Sequence, residues 1–188
     1  MFYPCNPASM SISYQGFGKL ERDPDWIAEL SMRGIRCLAH HLHNRIDLWT
    51  RDRMRITAPL VELRRQIKDM IPDQTILDGV LVGESKVKDH YFVFDIPRFK
   101  GIDSCVPLLA RTILLRILYQ NQPLIKISEQ TDKKLLLYYE SIKMRNINGI
   151  ILKCLHGNYI IGTKKGKINP EWIKVAPEHN IILDLLKS

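Results

Sequence analysis

Two runs of branched and aromatic residues, Thr75 to Val82 and His90 to Ile96, flank a polar stretch from Gly83 to Asp89. Side chains of this kind suit a pleated, half-buried surface, and a short polar connection between two such runs reads as an antiparallel hairpin. The same logic recurs along the chain. Trp26 to Leu30 and Ile35 to His43 are strand candidates hinged at Gly34, and Arg45 to Thr50 returns through a turn at Asn44, which makes a meander. Gly149 to Leu155 with Asn158 to Ile161 reads as a further hairpin, Ile125 to Ile127 as a strand, and the last strand ends near Val175.

Helices interrupt these pairs. From Pro59 to Ile71, Leu60, Leu63, Ile67 and Met70 fall on one helical face, with Pro59 suited to the first turn and Pro72 ending the element. Val106 to Tyr119 and Asp132 to Met144 read as two more helices. Residues 1–24, rich in Pro, Ser, Gly and Tyr and without periodicity, read as an extended N-terminal segment, followed by a single domain over 25–188. Hairpins broken by helices, without βαβ alternation, place the chain in the α+β class.

With 188 residues, 45% of them hydrophobic and 26% charged, the chain can bury a core. It has no apolar run of membrane-spanning length, and Met1 to Ser13 has no signal-peptide pattern, so the expectation is an intracellular protein without a membrane partner, cytoplasmic or at the nucleoid or nucleus. Cys5, Cys37, Cys105 and Cys154 form no CxxC pair, which argues against zinc and against a disulfide framework.

The 28 Lys and Arg outnumber the 20 Asp and Glu by eight charges, and that excess favours a polyanionic partner. It is concentrated between Arg33 and Lys68 and again at Lys164, Lys165 and Lys167. Arg45, Arg51, Arg53, Arg55, Lys164, Lys165 and Lys167 are therefore the nucleic-acid-binding candidates, with DNA preferred over RNA and a homodimer or protein partner left open. His40, His41 and His43 lack a carboxylate or thiol neighbour that would complete a metal site and read as surface histidines near a phosphate path. The run Gly162-Thr-Lys-Lys-Gly-Lys167 lacks P-loop spacing and reads as a basic hairpin turn.

Five short patterns then fall in order. They are Trp26-Ile-Ala-Glu-Leu-Ser-Met-Arg-Gly-Ile-Arg36 with Trp49-Thr-Arg51 after it, Leu77-Asp-Gly-Val80, Phe94-Asp95, Asn148-Gly-Ile-Ile-Leu-Lys153, and Trp172-Ile-Lys-Val-Ala176. In order and spacing they resemble the motifs of the covalent nucleotidyltransferases, above all the adenylation domain of ATP-dependent DNA ligases, and the resemblance covers Trp26 to Pro177. It implies an antiparallel-sheet, ATP-grasp-like nucleotidyltransferase fold, here without an oligonucleotide-binding-fold domain.

The resemblance also implies where chemistry should sit. The family's attacking lysine falls on Ser31 and the aspartate two residues on falls on Arg33. The third-motif glutamate falls on Val80, the fourth-motif glutamate on Asn148, and the second lysine of the last motif on Ala176. A serine cannot form the lysine's phosphoramidate, and an arginine cannot serve as base. Without those carboxylates magnesium has little to anchor it, so no metal site and no required cofactor are expected, with ATP left as a non-covalent ligand. Arg36, Asp78, Phe94, Lys153 and Lys174 remain as nucleotide-binding candidates, Phe94 on the resemblance alone, since by itself it reads as a core strand aromatic. The expectation is a binding module without turnover; the alternatives are an enzyme of altered chemistry, for instance transfer to Ser31, and a scaffold that reuses the fold.

Overall fold

The computed structural model describes residues 3–9, 14–83, 90–143, 148–162 and 166–176. The first half of the chain forms β1 (Tyr3–Pro4), β2 (Asn6–Ser9), α1 (Tyr14–Arg22), β3 (Trp26–Leu30), β4 (Ile35–Leu42), β5 (Arg45–Thr50), α2 (Val61–Met70), β6 (Thr75–Val82) and β7 (His90–Phe99). The second half forms β8 (Ile102–Asp103), α3 (Leu108–Leu118), β9 (Ile125–Ile127), β10 (Gln130–Thr131), α4 (Leu135–Lys143), β11 (Ile150–Cys154), β12 (Ile161–Gly162) and β13 (Ile168–Val175). Two compact units result, one of Met1–Cys5, Gly34–Ser128 and Asn158–Lys167, the other of Asn6–Arg33, Glu129–Gly157 and Ile168–Ser188.

The first unit is built on a sheet of order β5-β4-β6-β7-β8, with β9 parallel to β7, and β1 pairs separately with β12. Alternation along the strands, shifted for Ile96 by irregularities in the β6–β7 register, sends Cys37, Ala39, Leu77, Tyr91, Val93 and Ile96 to one face, where they pack with Leu63, Ile67 and Met70 of α2 and Leu115 of α3. Burying side chains of this size is worth roughly 1.5–3 kcal/mol each, which makes this face the unit's main source of stability. The Tyr91 hydroxyl is buried with them and donates to the Cys37 carbonyl at 2.9 Å. At the β4–β5 turn His43 and Asn44 have φ of 50° and 63°, the paired left-handed conformation of a tight hairpin.

The second unit is a sheet of order β10-β3-β11-β13-β2, antiparallel except that β2 runs parallel to β13. Its apolar face, Ala28, Ile150, Leu152, Ile173 and Val175, is covered by Phe17 of α1 and Leu135, Tyr139 and Ile142 of α4. The Phe17 and Tyr139 rings lie 5.6 Å apart.

The fold class agrees with expectation, and three details differ. Residues 14–22 are helical where an extended segment was expected, because Phe17 and Leu20 pack against α4 and the sheet. Strand β3 takes no part in the β4–β5 meander: it pairs with β10 and β11, and the chain changes unit at Gly34. A Cβ there would lie 2.4 Å from the Leu81 carbonyl oxygen, so only glycine passes. Finally, β11 forms no hairpin with Asn158 to Ile161. It lies between β3 and β13, while Asn158 bridges to Pro107 and β12 to β1. Most of the polar turn after Gly83 lies outside the described residues.

Candidate nucleotide and nucleic-acid site

On the sheet of the second unit the ladders set β3, β11 and β13 in rows. Ile27, Lys153 and Trp172 share one row, and Glu29, Ile151 and Lys174 share another two residues along. Alternation puts all six on the face opposite the helices, and Ser31 follows on that face, its N–H donating to the Gly149 carbonyl at 2.9 Å. Beyond it Arg33 Nε donates to Asn148 Oδ1 at 3.1 Å. The positions that the resemblance assigns to the nucleophile and its neighbours, Ser31, Arg33, Asn148 and Ala176, therefore meet at one corner. Lys153 and Lys174 stand on the same face. Gly149 closes the corner with φ +94°, and a Cβ on it would lie 2.0 Å from the Val175 carbonyl oxygen.

Lys153 is not a free cation. Its ammonium lies 2.6 Å from Glu29 Oε2 and 4.4 Å from the centroid of the Trp172 ring, with only 1% of the residue exposed. Glu29 Oε1 accepts a second bond from Gln130 Nε2 at 2.6 Å. Lys174, by contrast, is half-buried and without a partner among the described residues.

In the first unit the remaining candidates share the sheet face opposite its core. Arg36 reaches both oxygens of Asp78, at 3.1 and 2.6 Å, and donates to the Cys5 carbonyl at 2.7 Å. Asp78 is fully buried and accepts a third bond from the Tyr159 hydroxyl at 2.7 Å. Burial works against the Arg36 charge, but Asp78 more than offsets it and raises the arginine's pKa above its ordinary value. The Tyr159 phenol is pushed well above its usual range by burial first and by the Asp78 charge second.

Arg36 and Asp78 are thus spent on each other, and Asp78 presents no surface to a ligand. Phe94 stands outside the apolar core, half-buried, with the Arg36 guanidinium 5.3 Å from its ring centroid. Val80 pairs with Arg36 and Phe92 across the sheet. Beside Asp78 in register, Asp95 is also buried and is held at both oxygens by Arg111, at 2.6 and 3.1 Å. Each carboxylate in this pair of strands therefore has its own arginine, which keeps two adjacent buried anions compatible.

Tyr159, Arg111 and Gln130 are the residues that sequence reasoning missed. Arg111 left a signal, a lone cation inside the apolar run Leu108 to Leu115, where a charge survives only if paired. Tyr159 and Gln130 left none.

The basic candidates divide. Arg45 and Arg55 both bind Asp47, each at 2.7 Å, so their joint charge is halved. Arg53, with φ 63°, lies 3.7 Å from the Tyr3 ring centroid. Arg51 and Lys167 are exposed, while Lys164 and Lys165 lie outside the described residues, as does the centre of their basic turn. The histidines differ from expectation. His41 is buried because its Nδ1–H donates to the Ile71 carbonyl at 2.8 Å beyond α2, and burial lowers the His40 pKa to about 4; only His43 is exposed. Among the described residues no group of three or more His, Cys, Asp or Glu could hold a metal, and the carboxylates Glu29, Asp78 and Asp95 are each neutralised by a cation. Nor is any helix among them long and apolar enough to cross a membrane.

No protein-family profile matches the chain. The SPbeta prophage-derived DNA ligase-like protein LigB of Bacillus subtilis (strain 168) is 31% identical over 174 residues, which is 81% of this chain. The chain spans 62% of that relative's length. Among solved structures, the ligase domain of M. tuberculosis LigD superposes with a TM-score of 0.74 at 18% identity, covering 93% of this chain and 60% of that one. The ATP-dependent DNA ligase of bacteriophage T7, in complex with ATP, superposes at 0.62 and 18% identity over 93% of this chain and 68% of that one. The chain has the α+β nucleotidyltransferase fold of the adenylation domain of ATP-dependent DNA ligases and resembles that domain in the order of its sequence motifs.

Proposed function

We propose that this ligase-like domain binds nucleic acid, nucleotide or both without lysine adenylylation. One observation carries the reading: at the corner where the resemblance sets the nucleophile and two carboxylates stand Ser31, Arg33 and Asn148, with the arginine bonded to the asparagine. A guanidinium is a poor proton acceptor, and an amide oxygen is a weaker anchor than a carboxylate for a hard cation. The arrangement supports binding more than bond formation. Net charge supports an anionic partner, and the relatives' names favour DNA among such partners. The T7 enzyme's ATP complex and the half-buried Phe94 support a nucleotide as ligand. The cysteines are thiols, in keeping with an intracellular setting.

Two measurements test it. Incubation with labelled ATP or GTP and a divalent cation should leave no label on the protein after denaturing electrophoresis; a label lost in Ser31→Ala would replace this reading with an active enzyme. Fluorescence anisotropy with nicked, duplex and single-stranded DNA should give binding that weakens steeply with salt. Absence of affinity for every nucleic acid and nucleotide would leave the fold as a scaffold.

A further inference from the structure

One end of the first unit's sheet holds a hollow of about 140 Å³ whose lining includes His40, Leu42, Gln74, Ile76, Arg98 and Gly101. His40 pairs with Ile76 and Ile76 with Arg98 across the sheet, and alternation sets Leu42 beside them on the face opposite the core. Arg36 and Asp78 share this face, but neither lines the hollow. Gln74 and Gly101 stand together at its end. The Gly101 N–H donates to the Gln74 carbonyl at 2.8 Å, and a Cβ on Gly101 would lie 2.7 Å from Gln74 Oε1, which places the amide beside that glycine. Arg98 spends Nε on Asp103 Oδ1 at 2.6 Å; its two Nη groups, like the Gln74 amide, have no partner among the described residues.

A cavity of about 150 Å³ admits a benzene ring, so this hollow suits a single six-membered ring better than a fused pair. Its charge is balanced: Arg98 is paired with Asp103, and burial lowers the His40 pKa to about 4, which leaves that ring neutral at pH 7. The lining therefore offers shape and hydrogen bonds in place of net charge. Leu42 and Ile76 supply apolar wall, and the His40 imidazole a plane on which a base can stack. The unspent groups are two guanidinium donors and an amide that both donates and accepts. Cytosine matches them, because its O2 and N3 are adjacent acceptors for Arg98 and its 4-amino group donates to Gln74 Oε1. Thymine and uracil set an N3–H donor against the guanidinium, and a purine exceeds the size of the hollow.

We infer that this hollow is a pocket for one unpaired pyrimidine base, with cytosine preferred, read by Arg98 and Gln74 and stacked on His40. The inference rests on the proposed binding of nucleic acid or nucleotide and adds a base preference to it. A base can enter only when it stands outside a duplex, so the pocket favours single strands, gaps and ends. The ring has two possible sources: a single strand and a free nucleotide.

The test is equilibrium binding of the whole chain at neutral pH to two pairs of ligands: oligo-dC against oligo-dT single strands of equal length by anisotropy, and CMP against UMP by calorimetry. Within at least one pair the cytosine member should bind about tenfold or more tightly, and that pair identifies the source. The ratio should hold as salt is raised, while the affinity for both strands falls. Arg98→Met and Gln74→Ala should each bring the cytosine ligand down to the level of its partner and leave the partner's affinity near that of the parent. The Arg98 and Asp103 side chains are 37% and 42% exposed, so Arg98→Met should melt close to the parent. Equal affinities within both pairs, or a preference for thymine or uracil, would overturn the pocket and leave the general binding function standing. A ratio that vanishes with salt marks readout by charge and overturns it too, as does a cytosine preference that persists in either variant. Failure to bind any nucleic acid or nucleotide removes both readings.

Discussion

Glu29 and Lys153 face each other 2.6 Å apart across adjacent strands, each almost wholly buried, with the lysine also over the Trp172 ring. Arg36 and Asp78 repeat the arrangement in the other unit at the same 2.6 Å. Residues that the sequence marks as the cationic lining of a nucleotide pocket are therefore also structural, because a buried charge stripped of its partner is costly.

Lys153→Met should accordingly destabilise the chain by about 3–5 kcal/mol, since it leaves the Glu29 carboxylate buried and unmatched. The double variant Glu29→Gln with Lys153→Met should recover a large part of that loss, because no charge is then stranded. Urea unfolding of the two single variants and the double variant measures the difference. Equal losses in Lys153→Met and in the double variant would assign the effect to lost packing against Trp172.

Tyr159→Phe removes one of the three hydrogen bonds on Asp78 and leaves the Arg36 fork in place. A loss of about 1–3 kcal/mol is expected, from the acceptor left short of a partner in the interior. Arg111→Met should cost more, about 3–5 kcal/mol, because Asp95 loses its counter-ion altogether. Chemical denaturation of both variants ranks them, and the reverse order would mean that Asp95 finds another partner.

His40 sets an acid limit. Burial lowers its pKa from 6.5 to about 4 in the folded chain, so folding favours the neutral ring. Its contribution is complete above pH 6.5, declines as the pH falls and the unfolded chain takes up a proton that the folded one resists, and is gone near pH 4. The shift corresponds to at most about 3 kcal/mol. His40→Gln should flatten the stability profile between those limits; a profile as steep as the parent's would assign the slope to other groups.

Local chemistry was readable where local pattern decides. The face of α2, the β6–β7 pairing and the turn after His43 follow from apolar spacing and turn residues. The sheet that a strand joins does not. Trp26 to Leu30 alternates as any half-buried strand would, and only the ladders to Ile150–Cys154 and Gln130–Thr131 decide that it lies in the second unit. The helix over Tyr14–Arg22 was hidden by two glycines, whose helix-weakening effect is offset by the packing of Phe17 on Tyr139. At the candidate site the sequence marked Arg36 and Lys153 as cations, but their counter-charges are set by register across 42 residues in one case and by contact between strands β3 and β11 in the other. Tyr159 reaches Asp78 across 81 residues, a relation that periodicity cannot carry.

Gly149 and Gly166 separate strain from collision. Both have positive φ, +94° and +84°, but a Cβ on Gly149 would strike the Val175 carbonyl oxygen at 2.0 Å, whereas one on Gly166 would meet nothing within 4 Å among the described residues. Gly166→Ala should cost about 1 kcal/mol, the left-handed penalty alone. Gly149→Ala should cost about 3–5 kcal/mol, because β11 and β13 must part at the corner that holds Ser31 and Asn148. Thermal melting of both variants checks the contrast, and similar losses would mean that the strands yield without difficulty.

Placing a lysine at Ser31, where the resemblance sets the nucleophile, tests the proposed reading of this corner as a binding site. Ser31→Lys supplies the amine that the resemblance expects at this position, but the new ammonium would join Arg33 and Lys174 on a face whose one carboxylate among the described strand residues, Glu29, is already paired with Lys153, and like charges raise the cost of any further cation. The amine also needs a divalent ion or its equivalent on the polyphosphate leaving group, and Asn148 offers such an ion an amide in place of a carboxylate. Ser31→Lys alone should therefore form no denaturation-stable adduct with labelled ATP and magnesium. The triple variant Ser31→Lys, Arg33→Asp, Asn148→Glu removes the excess cation and returns two carboxylates to the corner, so any covalent labelling should appear there first. Labelling of the single variant at the level of the triple would show that Arg33 and Asn148 do not oppose the reaction.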